Sequence, residues 1–354
     1  MSWSEIIGHE AVVERFKRAA LKGRLVSTYL FVGLDGIGKR KFALKLAQAI
    51  LCEVNPEEQL EPCGSCPGCQ QVAASTHPDL IQIAKPEDKA NIPVETFIGD
   101  RDHRMQVGLC HDISLKPFSG SRKVAIIDDS DALNQESANA LLKTLEEPPQ
   151  GSIIILLSSS QHRQLSTIVS RSQVIRFEPL QNDEVLTILR KLESLDTEVD
   201  LETLAASSGG SVATAIAFSD PDVLEFRATL LSQLASLDPG SNDFVKSTTT
   251  FIDSAGKDSA AKRIRATQVG SFTVDFYRQL MLALAGNQVH CDAKMASAIN
   301  TAIENWTVNI EITGEAIHRS LDFQRHIAAN ANSANALQCW YSDLGKLNRG
   351  ELCT

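Results

Sequence analysis

Tyr29-Leu30-Phe31-Val32-Gly33-Leu34-Asp35-Gly36-Ile37-Gly38-Lys39-Arg40 decides how the first half of this chain is read. An apolar run enters Gly33, four residues separate it from Gly38-Lys39, and a helical pattern follows through Phe42, Leu44, Leu46 and Ile50. Strand, glycine loop and helix in that order make a phosphate cradle: backbone N–H groups and a helix N-terminus face the anion, and the lysine reaches its outer charges. Gly33, Gly36, Gly38 and Lys39 are therefore the candidate nucleotide-binding residues. The position after the lysine requires Ser or Thr, whose hydroxyl ligates magnesium, and here it is Arg40. A guanidinium repels a metal cation, so the loop is suited to holding ATP or ADP but poorly equipped to hydrolyse it.

Outward from the loop, short apolar runs recur at 29–32, 80–83, 124–127, 153–157 and 174–177, with helical patterns between them. Strands alternating with helical crossovers predict a mostly parallel α/β sheet covered on both faces. Beyond Phe177 and Pro179 no further strand runs occur. A helical stretch from Asp183 to about Phe218 leads to the turn residues Ser219-Asp220-Pro221-Asp222. Amphipathic helices then continue to the C-terminus, with polar breaks at Asp238-Pro239-Gly240-Ser241-Asn242 and Gly256-Lys257-Asp258-Ser259. A chain of 354 residues exceeds one ordinary core. The expected division is a nucleotide-binding-like base at 1–178, a small helical domain at 179–219 and a larger helical domain at 220–354.

Composition sets limits on function. Hydrophobic content of 43% and charged content of 22% are those of a folded soluble protein. The segment Met1 to Glu5 lacks a basic region followed by an apolar core, and no apolar run approaches the ~18 residues of a membrane span. A cytoplasmic protein without membrane contact is expected. The net charge of −10 argues against gripping nucleic acid over a broad basic face, because Lys and Arg supply most of that affinity.

Cys63-Gly64-Ser65-Cys66-Pro67-Gly68-Cys69 is the second strong signal. Two Cys-x2-Cys steps share Cys66, and the small residues between them allow turns that point three thiolates at one centre. Cys52 completes a tetrahedron, with His77 as the alternative fourth ligand. A site closed by four protein ligands predicts structural zinc in a module at 52–69. The rival reading, a zinc-dependent nucleic-acid-binding module, calls for basic and aromatic neighbours, whereas Glu57, Glu58, Glu61 and Pro62 flank these cysteines. Cys110, Cys291, Cys339 and Cys353 are isolated and read as ordinary core or surface residues.

Lys123-Val124-Ala125-Ile126-Ile127-Asp128-Asp129 is a buried strand ending in two carboxylates. In nucleotide hydrolases of this build the first acid supports magnesium and a following Glu orients the attacking water. Asp128 is the candidate metal-side acid. Asp129 is one methylene shorter than Glu; the reach lost, roughly 1.3 Å, is of a size that costs on the order of 10²-fold in rate.

The segment Ser137-Ala138-Asn139-Ala140-Leu141-Leu142-Lys143-Thr144-Leu145-Glu146-Glu147-Pro148-Pro149 places Ala138, Leu141, Leu142 and Leu145 on one apolar helical face, stopped by the prolines. From Asn139 onward its wording resembles the signature of bacterial clamp-loader subunits, the AAA+ proteins that open the sliding clamp for DNA polymerase III. The resemblance implies a RecA-like parallel sheet with a P-loop and an inserted zinc module, followed by a helical lid and an all-α collar. Ile7-Gly8-His9 is similar to the family's N-terminal nucleotide-binding box, and Cys52 to Cys69 with His77-Pro78-Asp79 to its zinc module. Ser158-Ser159-Ser160 lies where the first sensor would be, and Phe276-Tyr277-Arg278 and Asn330-Ala331-Asn332 resemble parts of the collar. Ser170-Arg171-Ser172 resembles the Ser-Arg-Cys motif, whose arginine is offered to a neighbouring subunit's ATP. The second-sensor arginine should fall near Gly210-Ser211-Val212-Ala213, where Ala213 stands.

Three departures, Arg40, Asp129 and Ala213, touch parts used in hydrolysis, while Arg171 is kept. The resemblance thus implies a stator with no ATPase of its own, supplying Arg171 in trans within a DNA polymerase holoenzyme. Its implied partners are gamma- or tau-type ATPase subunits and a delta subunit, with the sliding clamp and primed DNA in the assembly. The competing enzyme reading, an active gamma- or tau-type ATPase, requires a hydroxyl after Lys39 and a Glu at position 129.

Overall fold

The computed structural model describes residues 3–350 except 87, 88, 90, 193–199, 238, 257, 288, 290, 306–308 and 330. Of the residues cited above, Met1, Ser2, Asp238, Lys257, Asn330 and Cys353 lie outside the described ones. The chain divides into two compact units: residues 1–191 with 210–213, and residues 192–209 with 214–354.

The first unit is built on a five-stranded sheet of β1 (Thr28–Val32), β2 (Leu80–Ile83), β3 (Lys123–Ile127), β4 (Ser152–Ser158) and β5 (Gln173–Arg176), in the order β2-β3-β4-β1-β5. Every pairing is parallel; Leu30 of β1 pairs with Leu156 of β4 on one side and Val174 of β5 on the other. Parallel strands are joined by helical crossovers that cover both faces, which is why β3 and β4 are apolar without alternation.

Strand periodicity still sorts the side chains. Tyr29, Phe31, Val124, Ile126, Ile153, Ile155 and Leu157 meet Phe16 and Phe42 on one face, from the helices Glu10–Leu21 and Lys39–Ile50. Leu30, Ala125, Ile127, Ile154 and Leu156 meet Ala138, Leu141 and Leu145 on the other, from the helix Gln135–Glu146. Leu142 is only half-buried there. The adjoining buried place on that helix belongs to Ser137, whose hydroxyl donates to Ile92 O at 2.7 Å, so a polar residue completes the face.

The second unit is helical. Its longest helices are Pro221–Leu234, Asn242–Asp253, Ser259–Leu284, Ala293–Asn305, Ile310–Ala328 and Ser333–Asn348. Phe323 stacks on Trp340, and the buried Tyr277 hydroxyl donates to Asn348 Oδ1 at 2.9 Å. Arg227 pairs with Asp292 at 2.8 Å with both side chains buried. Asp292 also accepts from the Lys294 and Met295 N–H groups and so caps the helix Ala293–Asn305. Among the described residues no helix is long and apolar enough to cross a membrane.

Candidate functional site

The glycine loop leaves β1 at the carboxyl ends of the strands, the usual ligand side of a parallel sheet. Gly33 N donates to Ser158 O at 3.2 Å, and a Cβ on Gly33 would lie 2.5 Å from Phe177 O, so only glycine fits that approach. Gly36 and Gly38 have φ of +77° and +99°, a left-handed backbone that side chains rarely adopt. Lys39 opens the following helix and is buried; its Nζ donates to Gly33 O and Leu34 O, each at 2.7 Å, and lies 3.4 Å from Asp35 Oδ1.

Residues 210–213 fold onto this loop. Ser211 Oγ donates to Asp35 O at 2.7 Å and Val212 N to Gly36 O at 3.1 Å. Ala213 Cβ lies 2.4 Å from where a Gly36 Cβ would be, so residue 213 presents a methyl group against the loop. On the other side His9 Nε2 is 2.8 Å from Ile37 O. Because a carbonyl only accepts, that nitrogen carries the proton. A small cavity of about 180 Å³ lies here, lined by Ile6, Ile7, His9, Ile37 and Val212 among others.

The decisive contact is between Arg40 and Asp128. Arg40 Nε lies 3.2 Å from Asp128 Oδ2, pairing a guanidinium with the first of the two strand-end carboxylates. Burial pushes the Asp128 carboxyl above the usual carboxylate range, and Asp129 adds to this; the Asp129 N–H, Arg40 and Lys39 pull the other way without prevailing. Asp129 is exposed, with φ of +50°, and its N–H donates to Asp128 Oδ1 at 3.0 Å.

Asp131 is a participant that sequence reading missed. It accepts from Ser158 Oγ at 2.5 Å, Ser159 N at 2.7 Å, Ser159 Oγ at 2.5 Å and Gln164 Nε2 at 2.9 Å, tying the segment after β3 to the end of β4 and the residues that follow it. Burial opposes its ionisation, but these donors outweigh burial and hold the carboxyl below its usual range. The available signal was three successive serines opposite an acid just past a buried strand.

Cys52, Cys63, Cys66 and Cys69 converge, with all four Sγ atoms within 4.8 Å of one another. Cys52 and Cys66 Sγ are 4.0 Å apart, and Cys63 and Cys69 Sγ 3.9 Å. A tetrahedron with zinc–sulfur bonds of about 2.3 Å has sulfur–sulfur edges of about 3.8 Å, so donor set and spacing fit that ion. Backbone N–H groups of Asn55, Cys66 and Cys69 point at Cys52, Cys63 and Cys66 Sγ, at 3.3–3.4 Å. Backbone N–H donation from Ser65 and Cys66 pulls the Cys63 thiol down to about 6, whereas burial pushes Cys69 up. A divalent cation at the centre would favour the thiolate at every ligand. His77 is turned elsewhere, its Nδ1 accepting from Asp79 N at 3.0 Å.

The module is fastened to its unit by Trp3 Nε1 donating to Leu60 O at 2.7 Å and by Arg122 gripping Glu57 at 2.7 and 2.5 Å. Arg171 stands apart from both sites, just past the short helix Ser166–Val169, with its guanidinium against Glu146.

Sheet, glycine loop and strand-end acids together define a P-loop α/β protein of the AAA+ type. Residues 8–181 match the family model described as DNA polymerase III, delta subunit. DNA polymerase III subunit delta' of Bacillus subtilis is 31% identical over 223 residues, 63% of each chain. Subunit delta' of Pseudomonas aeruginosa is 35% identical over 59% of this chain and 60% of the relative. Subunit tau of B. subtilis is 30% identical over 65% of this chain and 40% of the relative. The chain spans about half the length of the curated relatives it matches. Residues 8–181 are those of the DNA polymerase III clamp-loader family, the group of delta', tau and gamma subunits.

Proposed function

We propose that this chain is a delta'-type stator of the clamp loader: it helps load the sliding clamp onto primed DNA, does not turn over ATP itself, and offers Arg171 to a neighbouring ATPase subunit. The observation that carries this reading is the Arg40–Asp128 ion pair. A side-chain cation takes the acid that would hold magnesium, so a nucleotide at Lys39 would lack its metal even where the loop admits it. Exposed Asp129 and the Ala213 methyl add to the same reading. Similarity alone does not choose between delta' and tau, since relatives of both names lie at 30–35% identity. The ion pair favours delta'.

In this reading residues 1–178 form the base, 179–219 the lid and 220–354 the collar, through which gamma- or tau-type subunits and a delta subunit are held in the cytoplasm. The four cysteines hold structural zinc, which stabilises the base without taking part in turnover. Arg171 acts because a guanidinium stays charged and forks onto phosphate oxygens. The test is a loader reconstituted with Arg171→Ala or Lys39→Ala. The arginine change should depress clamp-stimulated ATP hydrolysis and the lysine change should do little. A loader disabled by Lys39→Ala and indifferent to Arg171→Ala would make this chain a motor.

A further inference from the structure

The Arg171 guanidinium has five N–H donors in a rigid fork, and the chain itself engages most of them. Nε and Nη2 both donate to Glu146 Oε1, at 2.9 and 2.5 Å. Nη1 donates to Thr167 O at 2.9 Å and to Ser170 Oγ at 3.1 Å. One N–H of Nη2 is left over. The Nε–Nη2 edge, one of the two with which arginine grips a phosphate bidentately, is therefore closed by a carboxylate. Glu146 is the last residue of the helix Gln135–Glu146, just before the prolines that end it, so its backbone is held in place. The side chains of Arg171 and Glu146 are 31% and 49% exposed, within reach of an arriving anion.

We propose that Glu146 guards Arg171: it neutralises the guanidinium in the unassembled chain and must release the fork before Arg171 engages the terminal phosphate of a neighbour's nucleotide. This rests on the trans-arginine reading above. An exposed pair of this kind is weak, equivalent to a factor of about five at most. A triphosphate concentrates several negative charges at one point and displaces the carboxylate; when it leaves, Glu146 returns. While the fork is closed, the carboxylate also repels any phosphate that arrives off register.

The test begins on the full chain labelled at arginine Nε. The Arg171 Nε–H resonance, identified by its loss in Arg171→Lys, should move as inorganic tripolyphosphate is added. In Glu146→Gln, which keeps the side-chain volume and removes the charge, the midpoint should fall by up to about five-fold. In a reconstituted loader the same variant should lower the KM for ATP while kcat holds, a split that a purely structural role for Glu146 would not produce. An unchanged or higher tripolyphosphate midpoint in Glu146→Gln overturns the guard. If the midpoint falls as expected but Arg171→Ala leaves the loader's hydrolysis unchanged, the trans-arginine reading fails and the guard on Arg171 stands.

Discussion

The glycine loop and the cysteine module belong to the same α/β unit, yet they treat cations in contrasting ways. At the loop the charged groups already have partners: Lys39 donates to the carbonyls of Gly33 and Leu34, and Asp128 is paired with Arg40. In the module four thiols face one another, with backbone N–H groups directed at three of them. A guanidinium at a carboxylate keeps a metal out, because its charge is fixed and it has no lone pair to offer. Thiols converging at tetrahedral spacing are repelled from one another once ionised and are relieved by a cation. The comparison teaches that one scaffold can close a pair of charges on itself at one place and leave four thiols facing a common centre at another, and each side of it can be broken.

The largest effect is expected at the module. Structural zinc contributes on the order of 10 kcal/mol to the folding of small zinc-dependent domains. Metal analysis should therefore find about one zinc per chain, and Cys66→Ser should lower stability by several kcal/mol in urea unfolding. Zinc-free protein from a chelator-free purification, with unaltered unfolding, would remove this half of the comparison. Next comes Arg171→Ala, which should slow hydrolysis at the site it borders by about 10³-fold. The assembly as a whole should lose less, since its other sites keep their own arginines.

Asp131→Asn should cost about 1 to 2 kcal/mol at neutral pH by weakening hydrogen bonds to a charged acceptor. The sign of its pH dependence follows from a folded-state pKa below the unfolded one. Its stabilisation is complete above about pH 4 and fades as pH falls through the folded-state value. Urea unfolding at neutral and at acid pH should show the gap between wild type and Asp131→Asn closing toward low pH; a constant gap would detach Asp131 from the acid response. The smallest effect belongs to Arg40→Ser, which frees Asp128 and supplies a hydroxyl for magnesium. Nucleotide affinity should become magnesium-dependent by a factor of a few, as seen by titration with and without the ion, and turnover should stay at background. Turnover of about 1 s⁻¹ in this variant would show that Arg40 alone silences the loop and that Asp129 and Ala213 do not matter.

Much of the fold was legible before any coordinates, for a definite reason. Strands buried on both faces read as continuous apolar runs, so β1 to β5 stand within a residue or so of the runs at 29–32, 80–83, 124–127, 153–157 and 174–177. Uniformity that marks a strand also hides which side chain faces which helix, and Leu142 was placed on a buried face that Ser137 completes. At the sites, motif spacing exposed the residues whose chemistry is local. It was silent on partners far along the chain: Arg40 with Asp128, Glu146 with Arg171, and Asp131 with Ser158 and Ser159.

By itself the sequence determined where the strands lie, which residues could serve a phosphate or a metal, and that a cation-repelling arginine follows Lys39. These follow from side-chain chemistry and short-range periodicity, both carried by neighbours in the chain. Only the tertiary structure decided that β4 separates β1 from β3, that Arg40 reaches across to Asp128, that Cys52 rather than His77 joins the other three cysteines, and that Glu146 closes the fork of Arg171. The physical reason is distance: charges and thiols act over a few ångströms, and packing on the sheet is what brings residues far apart in sequence within that range.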